Sequence, residues 1–211
     1  MKTTREEIIN TAVKMFARDG YEAVSMSMIS GALGITKGAL YRHFENKQAI
    51  FDGIMDRMIG LDAERANGDQ VPVEVDDVNS GQCGDVSLEK FCKYARNQFL
   101  FWTEDDFASD VRKMLTLEQF RNPQLNKWYQ DALCTGPVEY TKQMFEEMIK
   151  QGKLNSEAEK FGAGNLAIAF FSPMHLLIQM SDGGVASEDL LKSLDNAMED
   201  FRERWSALPP E

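Results

Sequence analysis

The chain has 211 residues with 23 Lys or Arg against 34 Asp or Glu, a net charge of -11. A chain of this length can bury an ordinary core without metal or disulfide staples. Its three cysteines, Cys83, Cys92 and Cys134, are odd in number and form no CxxC pair, so neither a disulfide framework nor a zinc site is expected. Glu6 and Glu7 follow soon after the start and no apolar run approaches the ~20 residues of a membrane span, so a cytoplasmic protein with no membrane partner is expected.

The charge is unevenly spread. Residues 1–60 hold eight Lys or Arg and seven Asp or Glu, net +1, whereas residues 61–211 hold 15 and 27, net -12. The asymmetry fits a small module that approaches a polyanion, joined to a larger body that faces solvent.

Taken in chain order, residues 4–19 place Ile9, Ala12, Val13 and Phe16 at helical spacing between a Thr4 cap and the stop at Gly20. A second helix is predicted from about Ser27 to Leu33, with Met28, Ile29, Ala32 and Leu33 inward. A third runs from about Lys37 to Phe44. Only Gly34, Ile35 and Thr36 separate them, the short glycine-bearing turn that sets two helices at a steep angle. Asn46 caps a fourth helix carrying Ile50, Phe51, Ile54, Met55, Met58 and Ile59. Residues 61–86 have seven carboxylates, one arginine, three glycines and no helical period, and read as an acidic loop. Helices are predicted again over 87–103, 107–121, 123–151, 156–181 and 187–205, with Pro123 as a start, Pro137 as a candidate break and Pro173 as a kink. The fold class is all-α, divided into a helix-turn-helix domain over 1–48 and a second helical domain over 49–211.

On a wheel of about 100° per residue with Lys37 at zero, Leu40 and Phe44 fall near 300° and 340° and form the buried side. Gly38, Ala39 and Arg42 face away, and Lys37, Tyr41 and His43 flank the boundary. Small residues let such a helix approach a groove closely while polar and basic groups reach base edges and phosphates. Tyr41, His43 and Lys47 are assigned to phosphates, and Thr36, Lys37 and Arg42 to base contact. Ser25 and Ser27 offer caps and hydroxyls at the start of the second helix. The implied partner is double-stranded DNA.

The stretches IINTAVKMFARDGYEAVSM and ISGALGITKGALYRHFENKQAIFDGIMDRM closely resemble the N-terminal domain of TetR-family transcriptional regulators, over about residues 4–60. The resemblance implies a homodimeric, all-α, ligand-responsive regulator, usually a repressor. Its C-terminal domain would hold a small-molecule effector and the dimer interface. By that similarity Thr36, Lys37, Tyr41, His43 and Lys47 occupy DNA-contact positions. The chain departs from many members at Ser27 and Met28, where they carry an arginine and an acid.

The C-terminal body is rich in apolar and aromatic residues that serve chiefly as core. Phe99, Trp102, Met114, Phe120, Tyr129, Met144, Phe170 and His175 are the candidates for a ligand wall, compatible with a methionine-rich chain. Long apolar stripes over 163–180 and on the last helix (Leu190, Leu191, Leu194, Met198, Phe201, Trp205) suit a homodimer through the C-terminal helices. A two-fold dimer would set two recognition helices about 34–36 Å apart, matching a palindromic operator. No glycine-rich phosphate loop, HExxH or nucleophile–base set is present, so the reading is not an enzyme and calls for no cofactor and no metal. Two alternatives to a ligand-gated repressor stay open: a DNA-binding dimer without effector, and, less well supported, an all-α enzyme.

Overall fold

The computed structural model describes residues 3–69, 71–72 and 86–207. These form eleven helices: α1 (Arg5–Asp19), α2 (Met26–Ala32), α3 (Lys37–Tyr41), α4 (Lys47–Asp69), α5 (Leu88–Glu104), α6 (Asp106–Glu118), α7 (Pro123–Leu133), α8 (Thr135–Lys150), α9 (Ser156–Phe161), α10 (Ala163–Asp182) and α11 (Ser187–Trp205). The all-α expectation holds. Among the described residues the extended pairing is confined to an isolated bridge between Leu154 and Ser206.

The chain divides into two compact units, Met1–Asp62 with Glu104–Tyr129, and Ala63–Thr103 with Gln130–Glu211. The division falls within α4 and α7 and before the last residue of α5.

In the first unit, α1 opens with a capping box. Thr4 Oγ1 accepts from the Glu7 amide at 3.1 Å and Glu7 Oε2 accepts from the Thr4 amide at 2.8 Å. The helix stops at Gly20, whose φ of 87° is costly for other residues. Its buried stripe, Ile8, Ile9, Ala12, Val13 and Phe16, packs chiefly with α6. Each such Ile or Phe contributes about 1.5–3 kcal/mol by leaving water. The start of α4 joins this core closely: a Cβ on Gly53 would lie 3.3 Å from both Ile9 and Phe44. Arg57 ties α4 to its neighbours, donating to Asn10 Oδ1 at 2.7 Å and lying 4.1 Å over the Phe107 ring.

Several sequence expectations need correction. α2 buries Ile29 and Ser30, while Met28 and Ala32 face outward, because a seven-residue helix offers the core little more than one turn. Ile59 on α4 is also exposed. Residues 61–69, expected as the start of an acidic loop, continue α4. Tertiary contacts hold that end: Arg65 lies 3.8 Å over the Phe101 ring and donates to Gln98 and to the Asn97 carbonyl, and Asp69 accepts from Asn97 at 2.7 Å. Of the rest of the expected loop, residues 70 and 73–85 lie outside the described residues.

The helix expected over 123–151 is two helices, broken at Cys134 before Pro137. A Cβ on Gly136 would sit 1.9 Å from the Asp131 carbonyl oxygen, so only glycine lets the first turn of α8 approach the last turn of α7. Pro137 then occupies a first-turn position that needs no amide hydrogen. Gly162, with φ of 87°, likewise splits the span 156–181 into α9 and α10.

In the second unit α10 packs with α8 and α11. Phe170 stacks on Phe91 at 4.9 Å and meets Phe145 and Phe201 edge-on at 5.4 and 5.1 Å, a cluster drawn from α5, α8, α10 and α11. Although no membrane-length run was expected, α10 is long and apolar enough to cross a membrane by length and composition. Seven of its residues, from Leu166 to Ile178, are buried within the protein.

Candidate nucleic-acid interface

Three short elements build the exposed end of the first unit. Ser25 caps α2 by accepting from the Met28 amide at 3.3 Å. Ser27 lies inside α2, exposed, its carbonyl accepting from the buried Ser30 hydroxyl at 3.0 Å. Of the two serines, Ser25 alone serves as the cap.

The turn to α3 is closed by amides of Gly34 and Ile35 donating back to Gly31 and Ser30. Gly34 adopts φ of 65° to allow it. Thr36 then caps α3, accepting from the Ala39 amide at 3.1 Å. The α-helical part of α3 covers five residues rather than the eight expected. From Arg42 it tightens, with the His43 and Phe44 amides both donating to the Leu40 carbonyl. Tightening carries Phe44 under the helix, where it is buried beside Leu40.

The two-sided character expected of this segment is present. Leu40 and Phe44 are buried, whereas Thr36, Lys37, Gly38, Tyr41 and Arg42 are exposed and Ala39 and His43 are half-buried. Tyr41 leaves 49% of its surface in solvent. A Cβ on Gly38 would meet nothing within 4 Å, so the fold itself makes no demand for glycine there. Asn46 caps α4, accepting from the Ala49 amide at 2.8 Å, as expected.

Supporting residues went unnoticed in the sequence. Arg5 donates to the His43 carbonyl at 3.2 Å and lies 4.1 Å over the Phe44 ring, bracing the end of α3 from α1. Tyr21 is held edge-on by Phe16 and Phe51 at 5.1 and 5.6 Å and pairs its hydroxyl with Gln48 at 3.2 Å. Burial, with the Glu22 and Asp52 charges adding to it, pushes the Tyr21 phenol up to about 12. Only distance in the chain hid these partners, since nothing in residues 5 or 21 alone points to residues 43 or 48.

Lys47 makes several contacts within the fold. Its ammonium donates to the Tyr21 and Glu22 carbonyls at 2.7 and 3.3 Å, stands 3.9 Å from the Glu22 carboxylate and lies 4.3 Å over the Tyr21 ring.

Met114, Phe120 and Tyr129 belong to the first unit, and Phe99, Trp102, Met144, Phe170 and His175 to the second. Phe120, in the turn between α6 and α7, is 88% exposed. Phe99, Met114, Met144 and Phe170 are buried in core, Trp102 and Tyr129 nearly so, and His175 is half-buried beside Phe171 at 5.9 Å. The second unit instead gathers a polar and aromatic group the sequence did not single out: Gln98 donates to the Tyr94 hydroxyl at 2.6 Å and accepts from Arg65.

Two helices joined by a tight glycine turn, the second braced from below and open above, define a helix-turn-helix protein. Residues 8–54 match the model of the bacterial regulatory proteins of the tetR family, and the chain carries a TetR-family N-terminal domain. Among curated relatives, the TetC protein of transposon Tn10 from Escherichia coli is 40% identical over 63 residues, 29% of this chain and 32% of that one. YerO of Bacillus subtilis, an HTH-type transcriptional regulator, is 36% identical over 61 residues, 29% of this chain and 21% of that one. The chain thus spans about a fifth to a third of the length of these relatives. Among solved structures, SmeT, the repressor of a Stenotrophomonas maltophilia multidrug efflux pump, superposes with a TM-score of 0.65 over 97% of this chain and 91% of its own, at 16% identity. Its complex with triclosan gives 0.69 over 98% and 94%. That likeness extends the shared fold to nearly the whole chain.

Proposed function

We propose that the protein is a ligand-responsive transcriptional regulator, a repressor, that binds a palindromic operator as a homodimer and is released by a small-molecule effector. The observation that carries the reading is the outward face of α3: Lys37, Gly38, Tyr41 and Arg42 exposed over a buried Leu40 and Phe44. In this reading α3 lies in the major groove, Lys37, Thr36 and Arg42 meet base edges, and Tyr41 and His43 donate to the sugar-phosphate rails, with Ser25, Ser27 and Ala39 at the same surface.

Dimerisation is supported by α10. Ile168, Leu176 and Met180 are 55%, 60% and 39% exposed, at multiples of four residues along one stripe. Such a stripe has no partner within its own unit and fits its two-fold twin. The apolar face of α11 is spent inside the protomer, where Leu190, Leu194, Met198, Phe201 and Trp205 are buried, so α10 would carry most of the interface.

Effector release would act by population shift, the ligand favouring a dimer whose α3 helices are wrongly spaced for the operator. The triclosan complex of the similarly folded SmeT supports a small-molecule effector. The effector-independent dimer gains support from the packing of Phe170 into a closed aromatic cluster. In either case the protein acts in the cytoplasm as a regulator and not as an enzyme. Selection of bound duplexes from a random pool, followed by compound screening for release, tests both: no selected sequence sinks the regulator, and selection without any releasing compound favours the effector-free form.

A further inference from the structure

We propose that the groove between α9 and the end of α11 is a binding site for a small aromatic carboxylate, with the carboxylate held by Arg204 and the ring laid against Phe161. The groove lies within the second unit, and the inference stands independently of the regulator reading.

Two helix ends tied together build the groove. Leu154 bridges to Ser206, and the Asn155 amide donates to the Trp205 carbonyl at 3.0 Å. The Asn155 side chain is used at both its polar atoms: Oδ1 accepts from the Ala158 amide at 3.0 Å, capping α9, and Nδ2 donates to the Arg204 carbonyl at 2.7 Å. These bonds fix α9 against the last turn of α11 and leave a space of about 440 Å³ lined by Asn155, Glu157, Lys160, Phe161, Arg204 and Trp205. A space of that size accepts a small-molecule ligand.

Most of the polar lining is already spent. Asn155 is doubly bonded, and Lys160 stands 2.7 Å from the Glu157 carboxylate. Two groups remain for a guest. Phe161 keeps 40% of its surface in solvent although its ring stacks on the buried Trp205 at 5.0 Å. Arg204 lies 4.6 Å over the same Trp205 ring, and among the described residues no carboxylate or carbonyl accepts from its guanidinium. Arg202, two residues earlier, instead donates to Glu199 at 2.9 Å.

The charge and shape of the guest follow from these two groups. Lys160 and Arg204 against Glu157 give the lining a net charge of +1, in a region, residues 61–211, that carries -12. Charge complementarity therefore selects an anion. A guanidinium held flat on an aromatic ring keeps its planar fork of donors in place, which matches the two oxygens of a carboxylate. The exposed Phe161 ring adds a stacking or edge-on contact for a second ring, beyond the area buried. Because Trp205 holds both groups, one bicyclic aryl carboxylate reaches them together. A bare anion would leave Phe161 in water, and a neutral aromatic would leave Arg204 without an acceptor.

The test is calorimetric titration of the full-length protein with 1-naphthoate, 1-naphthamide and inorganic phosphate, repeated on Arg204→Gln, Arg204→Lys and Phe161→Leu. The wild type is expected to bind 1-naphthoate at one Arg204-dependent site per chain, at least about ten-fold more tightly than the amide or phosphate. Arg204→Gln should weaken 1-naphthoate about ten-fold or more, as loss of charge-assisted hydrogen bonds warrants. Arg204→Lys, a point charge without the fork, should recover only part of that loss. Phe161→Leu, which keeps apolar bulk without a ring, should weaken 1-naphthoate about five-fold.

Wild-type protein that does not bind 1-naphthoate would overturn the proposal. So would affinity unchanged in Arg204→Gln, which would place the ligand elsewhere, or phosphate or the amide bound as tightly as 1-naphthoate. Arg204 is exposed, so its variants should fold. Should one fail to, the wild-type comparison of the three compounds decides by itself.

Discussion

Glu118 at the end of α6 points its carboxylate at the backbone of Gly20, the residue that ends α1. Glu118 is fully buried and neither carboxylate oxygen has a hydrogen-bond partner, while a Cβ on Gly20 would stand 2.6 Å from Oε1. A buried unpaired carboxylate is costly, and it lies against the negative end of a helix dipole. Glu118→Gln, which removes the charge at constant shape, should therefore stabilise the protein by about 1 kcal/mol, raising Tm by about 2–4 °C. Gly20→Ala meets both the carboxylate and a φ of 87°, and should destabilise by more than about 1 kcal/mol. Thermal unfolding of the two variants checks both signs.

Gly38 separates fold from binding. Because a Cβ there meets nothing within 4 Å, Gly38→Ala and Gly38→Leu should unfold at close to the wild-type temperature. Gly38→Leu should nevertheless lose operator binding by at least about ten-fold, since the added side chain stands where α3 would face the groove. Equal affinity for Gly38→Leu would mean that this face does not approach DNA.

Lys37 and Tyr41 should fail differently. Lys37→Ala is expected to cost about 1–3 kcal/mol and to relax sequence preference at one operator position. Tyr41→Phe, which removes only the hydroxyl proposed to donate to a phosphate, should weaken all sequences alike. Repeating the random-pool selection with each variant distinguishes the two patterns.

A charge in the α10 stripe should break the dimer. Leu176→Glu places a carboxylate where a largely exposed apolar side chain now lies, so the protomer should fold as before. Sedimentation should then report a monomer for the variant and a dimer for the wild type, and operator affinity should collapse with the loss of the second half-site.

Alkaline stability should track Tyr21. Burial raises its phenol from 10.0 to about 12, so the folded state binds the proton more tightly than the unfolded chain. The stability this represents is complete below pH 10 and is lost as pH rises from 10 to about 12. Tyr21→Phe should flatten that decline while giving up the hydroxyl contact with Gln48, which urea titrations at pH 8 and 11 would measure.

The amphipathic spacing in residues 4–59, the caps at Thr4 and Asn46, the stop at Gly20 and the Leu40–Phe44 underside of α3 all follow from the sequence, because helix periods and caps are set within a few residues. Distant partners set the rest. Residues 61–69 look like loop by composition, yet Phe101, Asn97 and Gln98 hold them in α4. Nothing near Lys47 in the sequence points to the Tyr21 and Glu22 carbonyls that the fold brings to its ammonium. Phe120 and Phe170 are alike on paper, and only packing sends one into solvent and the other into a ring of aromatics. A short sequence window specifies which face of a helix is apolar; what that face meets depends on chain segments brought together only by folding.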